Sequence, residues 1–476
     1  MRFSEVFGLR MAQPQLDFVD IHVDRDNPLY LDPYSFALKT DEWSTACTAD
    51  ITFFFQKLLN ALIAGDDATA RALCANLHEP NETCLGQSKG LPRGRGVGSV
   101  QSGEILGALR ASRAIGTGMI QDITDAELFV EGVGPDKVSD LTTNLIRHRL
   151  IEYTQQQCAM HGIPMETVAS GPLWSTVRSE WLDGELVSRP VYNHRAMLLV
   201  PRFAVRLAAL LEPHEYYRHH VLNYIKMQEQ SNPLSRFAKV LKSGERRIIK
   251  SALESDFPYS KGFLLDFSIH NPDVLERYRK AKTIDPAPTL EELESGFDER
   301  MLASQLIVEL GRIPSGPADA DAYHRFIIGL LSFLFYPNLA MPIREDIIHD
   351  GRKIIDVTYV NTLQGGLFQR FPQAVLKPAP KIIVECKNYT DDPTNPAFDQ
   401  LAGRFGPRGW LGLLLCRTLT DRARAVARCR DTVRDGRGYM IPLDDSDIQA
   451  MLRHVESGNR PFVNGHLERI FSDLLK

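Results

Sequence analysis

Nowhere does this 476-residue sequence sustain the roughly 18 consecutive apolar residues that a bilayer-spanning helix needs. The greasiest stretch, Phe326 to Tyr336, is too short, so no membrane anchor is expected. The opening MRFSEVFGLRMAQPQLDF carries charge early and has no apolar core of signal-peptide length. A surplus of positive charge is also missing. The chain has 55 Lys and Arg against 60 Asp and Glu, a net charge of −5. A nucleic-acid partner would therefore have to be met by local basic patches. Cysteine is sparse and unpatterned: the seven include no C-x₂-C pair, which excludes the usual zinc spacing and predicts reduced thiols in a cytoplasm. No internal repeat and no P-loop is present. The segment SKGLPRGRGVGSVQSG has spaced glycines with Lys89, Arg93 and Arg95, but it matches neither phosphate-loop nor dinucleotide spacing and reads as a surface loop. His78-Glu79 lacks the second histidine of a zinc-protease motif.

What is there begins with organisation. Proline-rich and charged stretches at Thr283 to Gly296 and Ile313 to Ala320 look like joints. They divide the chain into an N-terminal recognition or sensor region (1–285), a linker with a connecting helix (286–315) and a C-terminal region (316–476). The N-terminal region reads as α/β or mostly α. Helices are predicted over Asp50 to Ala64, Asp67 to Leu77, Asp140 to Met160 and Arg202 to Leu211, with a short buried strand at Ala196 to Val200. Glu131, Asp136 and Asp140 surround a Gly-Pro turn, where Asp140 suits a helix cap and a second metal site is the alternative. The C-terminal region is clearer. An apolar helix over Tyr323 to Tyr336 precedes a hairpin, Pro342 to His349 and Arg352 to Val360, turning at Asp350-Gly351. Lys381 to Lys387, Leu411 to Cys416 and Tyr439 to Leu443 read as buried strands. Helices opening at Asn395, at Thr420-Asp421 and at Asp445 follow them in turn. This predicts a mixed β-sheet flanked by helices, an α/β fold.

Two of these strands carry acids inside apolar runs. In KIIVECK, alternation puts Glu385 and Lys387 on one face and Cys386 on the other. In KIIDVTY, Asp356 is similarly placed. With Asp350-Gly351 as the turn, Glu345 falls directly across from Asp356. Facing carboxylates repel unless a cation lies between them. Three carboxylates with Lys387 beside them suit Mg²⁺, a hard ion that prefers carboxylate oxygen and retained water. Such an ion polarises a phosphoryl oxygen, and a lysine stabilises the charge that builds there. The bland alternative is an ion-paired sheet edge without chemistry.

The order of these pieces resembles the restriction-endonuclease-like PD-(D/E)xK nuclease superfamily over about residues 320–450. Asp356 follows a hairpin, ECK at 385–387 lies on the next strand, the helix NPAFDQLAGRF comes after it, and LGLLLCR and DRARAVARCRDTV continue the pattern. The resemblance implies Asp356 and Glu385 as metal ligands, Lys387 as catalytic lysine and the Cys386 carbonyl as a further metal contact. It also implies Mg²⁺ as cofactor, with Mn²⁺ able to substitute. Ile355 stands where the motif has proline, and the helix Tyr323 to Tyr336 lacks the acid many members carry, so Glu345 is the candidate replacement. Gln400, in the helix after ECK, matches a glutamine common in related nucleases and joins the catalytic set. It shares a helix face with Arg404. Arg404, Arg417, Arg424 and Arg428 form the expected phosphate-binding patch, since arginine forks match phosphate geometry, although Asp421, Asp431 and Asp435 dilute it.

The expectation is a metal-dependent DNA endonuclease with an N-terminal specificity or sensor region, and the resemblance together with this two-part layout suggests a role in bacterial defence against foreign DNA. The rivals are a repair or RNA nuclease and a non-catalytic nucleic-acid-binding protein on the same fold. Cutting both strands of a duplex favours a homo-oligomer.

Overall fold

The structure, a computed structural model, describes residues 1–86, 98–240, 246–282, 287–348 and 353–476. The Asp350-Gly351 turn and the basic loop with Lys89, Arg93 and Arg95 lie outside the described residues. Apolar side chains collect into two buried clusters. One draws on residues from Phe3 to Leu293, the other on residues from Leu302 to Leu474. They are stitched together by a few exchanges. Ala340, Met341 and Val360 sit in the first cluster, and Met160 sits in the second.

In the N-terminal part, α1 (Glu42–Ala64) begins where Asp41 caps the Ser44 amide and ends at Gly65 in the left-handed conformation. It starts earlier than its apolar periodicity announces, because the cap and not the first apolar residue sets a helix start. The long helix expected over 140–160 is two helices, α2 (Pro135–Leu145) and α3 (Arg147–His161), broken at Ile146. Asp140 lies inside α2 and does not cap it; Gly134 holds the cap position, with Pro135 in the first turn. Two further expectations fail. Met197 to Val200 is buried but irregular, with Leu198 and Leu199 donating their amides to the Glu82 carbonyl and to Thr154 Oγ1. Residues 202–211 give only a 3₁₀ turn, Arg202–Ala204, and a two-residue strand. In both cases an apolar run is buried by tertiary contacts without regular structure of its own.

The C-terminal part builds the sheet. Helix α4 (Ala320–Leu334) leads into β1 (Leu339–Ile348) and β2 (Lys353–Asn361). A helix absent from the expectation, α5 (Gly366–Val375), intervenes before β3 (Lys381–Lys387). Then come α6 (Asn395–Ala402), β4 (Leu411–Cys416), α7 (Arg422–Arg434), β5 (Tyr439–Asp444), α8 (Asp445–Glu456) and α9 (Pro461–Leu474). Among the described residues the strands lie in the order β1-β2-β3-β4-β5. Strand β2 is antiparallel to both of its neighbours, β1 and β3; β4 and β5 run parallel to β3, each reached through a helical crossover. This is the mixed, helix-flanked sheet expected from the sequence.

The alternation of β2 and β3 sorts their side chains. Val357, Tyr359, Ile382 and Val384 face the C-terminal core, while Thr358, Val360 and Lys381 turn toward the N-terminal half. Asp356 and Glu385 belong to the second face.

Candidate active site

Strands β2 and β3 pair from Val357↔Val384 to Val360↔Lys381, and the ladder stops there. Asp356 and Glu385 are the next residues beyond the last pair, at the mouth where the strands part. Strand β3 goes on pairing with β4 to Lys387↔Cys416, so the ECK segment stays rigid on that side. Asp356 is tied to it: its Oδ2 accepts the Cys386 amide at 2.9 Å. Glu385 is fully buried, and its Oε1 accepts from Lys387 Nζ at 2.6 Å. The same ammonium donates to Gln400 Oε1 at 3.2 Å. Four sequence candidates, Asp356, Glu385, Lys387 and Gln400, are thus brought together.

The electrostatics follow from burial. Desolvation first, and then the Asp356 charge, push the Glu385 carboxyl up to about 7; Lys387 and Arg404 oppose them. Burial works against the Lys387 ammonium, but the Glu385 carboxylate outweighs it and holds its pKa above the ordinary lysine value. Glu385 Oε2 is buried without a hydrogen-bond partner. An orphaned carboxylate oxygen beside a second carboxylate is the donor set a hard cation satisfies. The Cys386 thiol is no part of it, since burial keeps it far above its usual range and hence protonated. Cys386 does line the cavity that Asp356 lines, and its carbonyl oxygen is the backbone acceptor there. Among the described residues no three His, Cys, Asp or Glu side chains group as a metal cage. The fit therefore rests on two carboxylates and a carbonyl, which suits an ion that keeps several waters of its own.

Glu345 is not brought to the site. The register on either side, Arg344↔Val357 and Asp346↔Ile355, does place it opposite Asp356. Its own backbone, however, is left-handed, with φ 53°. The side chain is 68% exposed and lies 3.5 Å from Arg344. It lines a different cavity, with Gln156, Ala159 and Met160. Turning outward separates the facing carboxylates and relieves their repulsion.

His324 went unnoticed in the sequence. It projects from α4, and its Nε2 meets the Cys386 carbonyl at 3.2 Å. It shares with Asp356, Cys386 and Lys387 a cavity of about 620 Å³, completed by Asn388 and Asp392. The helix starts at Ala320, ahead of the expected Tyr323, and so does carry an acid, Asp321, which is taken up in pairs with Arg325 and Arg344.

Residues 8–211 match a domain of unknown function, DUF8370. That match lies wholly N-terminal to the site and brings no activity with it. No curated protein and no solved structure matches the chain.

The arginines expected to form a phosphate patch divide in two. Arg417 is consumed internally: it pairs with Asp445 at 2.8 Å, donates to the Ile313 carbonyl at 2.7 Å and to Asn388 at 3.1 Å, and stacks on Tyr323. It clamps the loop after β3 and is not available to a polymer. Arg428 donates to the Pro393 carbonyl and lies over the Phe398 ring, with part of its surface open. Arg424 is exposed on α7. Arg404 has a buried Nε without a partner and feels the Glu385 charge, which places it at the site's edge. The acids around Gly134-Pro135 form no metal group among the described residues; Glu131 instead accepts the Lys261 amide.

One prediction arises from Glu385. Its folded-state pKa, about 7, exceeds the ordinary 4.5, so the folded protein binds more protons between these values. The associated stability is fully present below about pH 4.5 and is lost as pH rises through 7. Asp356→Asn keeps an acceptor for the Cys386 amide and removes one of the two causes. Without divalent ions the variant is expected to melt above wild type at pH 8, and the gap should close toward pH 4.5. Added Mn²⁺ should raise the melting temperature of wild type only. Thermal melts across pH check this; a variant that melts lower at pH 8, or that Mn²⁺ still stabilises, contradicts it.

Proposed function

We propose that the C-terminal sheet is the catalytic unit of a metal-dependent phosphodiesterase of the PD-(D/E)xK type, acting as a DNA endonuclease, in a role such as bacterial defence against foreign DNA. The observation that carries this reading is the mouth between β2 and β3. There Asp356 stands beside a buried Glu385 whose second oxygen is unpartnered, with Lys387 held between Glu385 and Gln400. The orphaned oxygen lies beside a second carboxylate, and that pairing of acids is what a cation would satisfy.

In this reading Asp356, Glu385 and the Cys386 carbonyl hold Mg²⁺ or Mn²⁺. When bound, the ion supplies Lewis-acid polarisation of a phosphoryl oxygen and a lowered pKa for water. The chain's own residues do the rest. Glu385 and Gln400 take two of the three N–H donors of Lys387, and the third is left for a phosphate oxygen as charge builds on it. Gln400 keeps the ammonium from collapsing wholly onto Glu385. His324 shares the cavity with Asp356, and Arg404 adds positive charge close enough to act on Glu385.

The test is a cleavage panel of duplex DNA, single-stranded DNA and RNA, each with Mg²⁺ or Mn²⁺ and with EDTA. Metal-dependent cutting of duplex DNA is expected. Cutting of RNA alone would move the substrate class, and no cutting together with tight DNA binding would favour a binding protein.

A further inference from the structure

Beyond the mouth at Asp356 and Glu385, β1 and β2 continue together without a third strand. The pairs Asp346↔Ile355, Ile347↔Ile354 and Ile348↔Lys353 belong to a two-stranded ribbon, since β3 pairs with β2 only from Val357 onward. On this ribbon Ile347 is 65% exposed and its cross-strand partner Ile354 is 48% exposed. Ile354 lies two residues before Asp356 on β2 and therefore on the same face, roughly 7 Å along the strand. An exposed apolar pair thus adjoins the charged mouth.

We propose that this ribbon is a groove-reading element, with Ile347 and Ile354 making apolar contact to base edges of a nucleic-acid duplex beside the scissile phosphate. The inference rests on the reading of the site as a nuclease. Three observations select this occupant. A two-stranded ribbon has the cross-section that the DNA major groove admits. Isoleucine suits thymine methyls and base edges and has nothing to offer a phosphate, so the pair complements the cationic contacts at Lys387 and Arg404. A second copy of the chain is a poor alternative, because two isoleucines supply only a small part of the roughly 800 Å² per partner that a stable interface buries.

The test replaces both residues, Ile347→Thr and Ile354→Thr, which keeps β-branched side chains on the strands. Both changes are made in the otherwise wild-type chain, and EDTA is kept in the titration so that binding is read without cutting. Anisotropy titrations of a labelled duplex at several salt concentrations are expected to show affinity about tenfold weaker. The slope of log affinity against log salt should stay unchanged, because no phosphate contact is lost. Matching melting curves establish that the fold is intact. Unchanged affinity overturns the proposal, as does a shallower salt slope. A dimer that the double variant loses while binding DNA normally assigns the pair to a second copy and overturns it too. If the chain with both isoleucines and Lys387 in place binds no nucleic acid at all, the nuclease reading itself falls, and the ribbon's role with it.

Discussion

Replacing Lys387 with alanine is expected to lower DNA cleavage by about 10² to 10³-fold, the usual cost of removing one charge-stabilising donor from a preorganised site. The ammonium is held in place before any substrate arrives. Nζ is fixed by Glu385 at 2.6 Å and Gln400 at 3.2 Å, on a strand locked by β4. Such a group costs no reorganisation when charge develops on the phosphate. The fold should survive the loss. Glu385 already sits at about 7 and can take up a proton once its counter-charge is gone. Single-turnover cleavage of a labelled duplex, with anisotropy to confirm retained binding, measures the effect. Cleavage within about tenfold of wild type would remove Lys387 from the chemistry. Lys387→Arg is expected to recover little, because a planar fork cannot reproduce a point charge between two oxygens.

The second large effect concerns stability. Arg202 is almost wholly buried. Its guanidinium donates to the Pro14 carbonyl at 2.8 Å and to the Ser332 carbonyl at 2.6 Å, and it lies 4.0 Å from the Tyr336 ring centroid. Ser332 and Tyr336 belong to the C-terminal half and Pro14 to the N-terminal half, so one side chain joins both. Nearby Asp17 accepts the Met341 amide and the Tyr153 hydroxyl; burial raises its pKa, and Arg202 is the largest influence opposing that rise. Arg202→Met keeps much of the volume but strands two buried carbonyls and removes that compensating charge. The expected cost is about 3–5 kcal/mol, the range for breaking a buried charged network from one side. Denaturant melts should show the lower midpoint, and calorimetry should show the two halves beginning to unfold separately. A loss under about 1 kcal/mol would mean that water replaces the guanidinium.

How much of this could be read beforehand depends on where the information lies. Strands β3 and β4 were legible to the residue because unbroken apolar runs bounded by turn residues have few other solutions. The set Asp356, Glu385, Lys387 and Gln400 was legible because acids and an amine inside such runs demand partners. Helix α5 was hidden by Pro372 in its interior, a residue that argues against a helix in any local reading. Glu345 was placed correctly in register yet lost to its own left-handed backbone, which strand alternation does not foresee. Arg417 looked like its neighbours on α7. Only the tertiary positions of Asp445, Asn388 and Ile313 turn it into a structural clamp. His324 required knowing that α4 passes the end of β3.

The exchange of side chains between the two apolar clusters bears on how such a protein can be remodelled. Ala340, Met341 and Val360 come from the two strands that carry the hairpin and Asp356, yet they are sheltered by the other half. Transplanting residues 316–476 onto a foreign partner would leave greasy patches uncovered within a few residues of the proposed site. The halves are therefore not interchangeable cassettes, and a replacement for either must arrive with a matching socket.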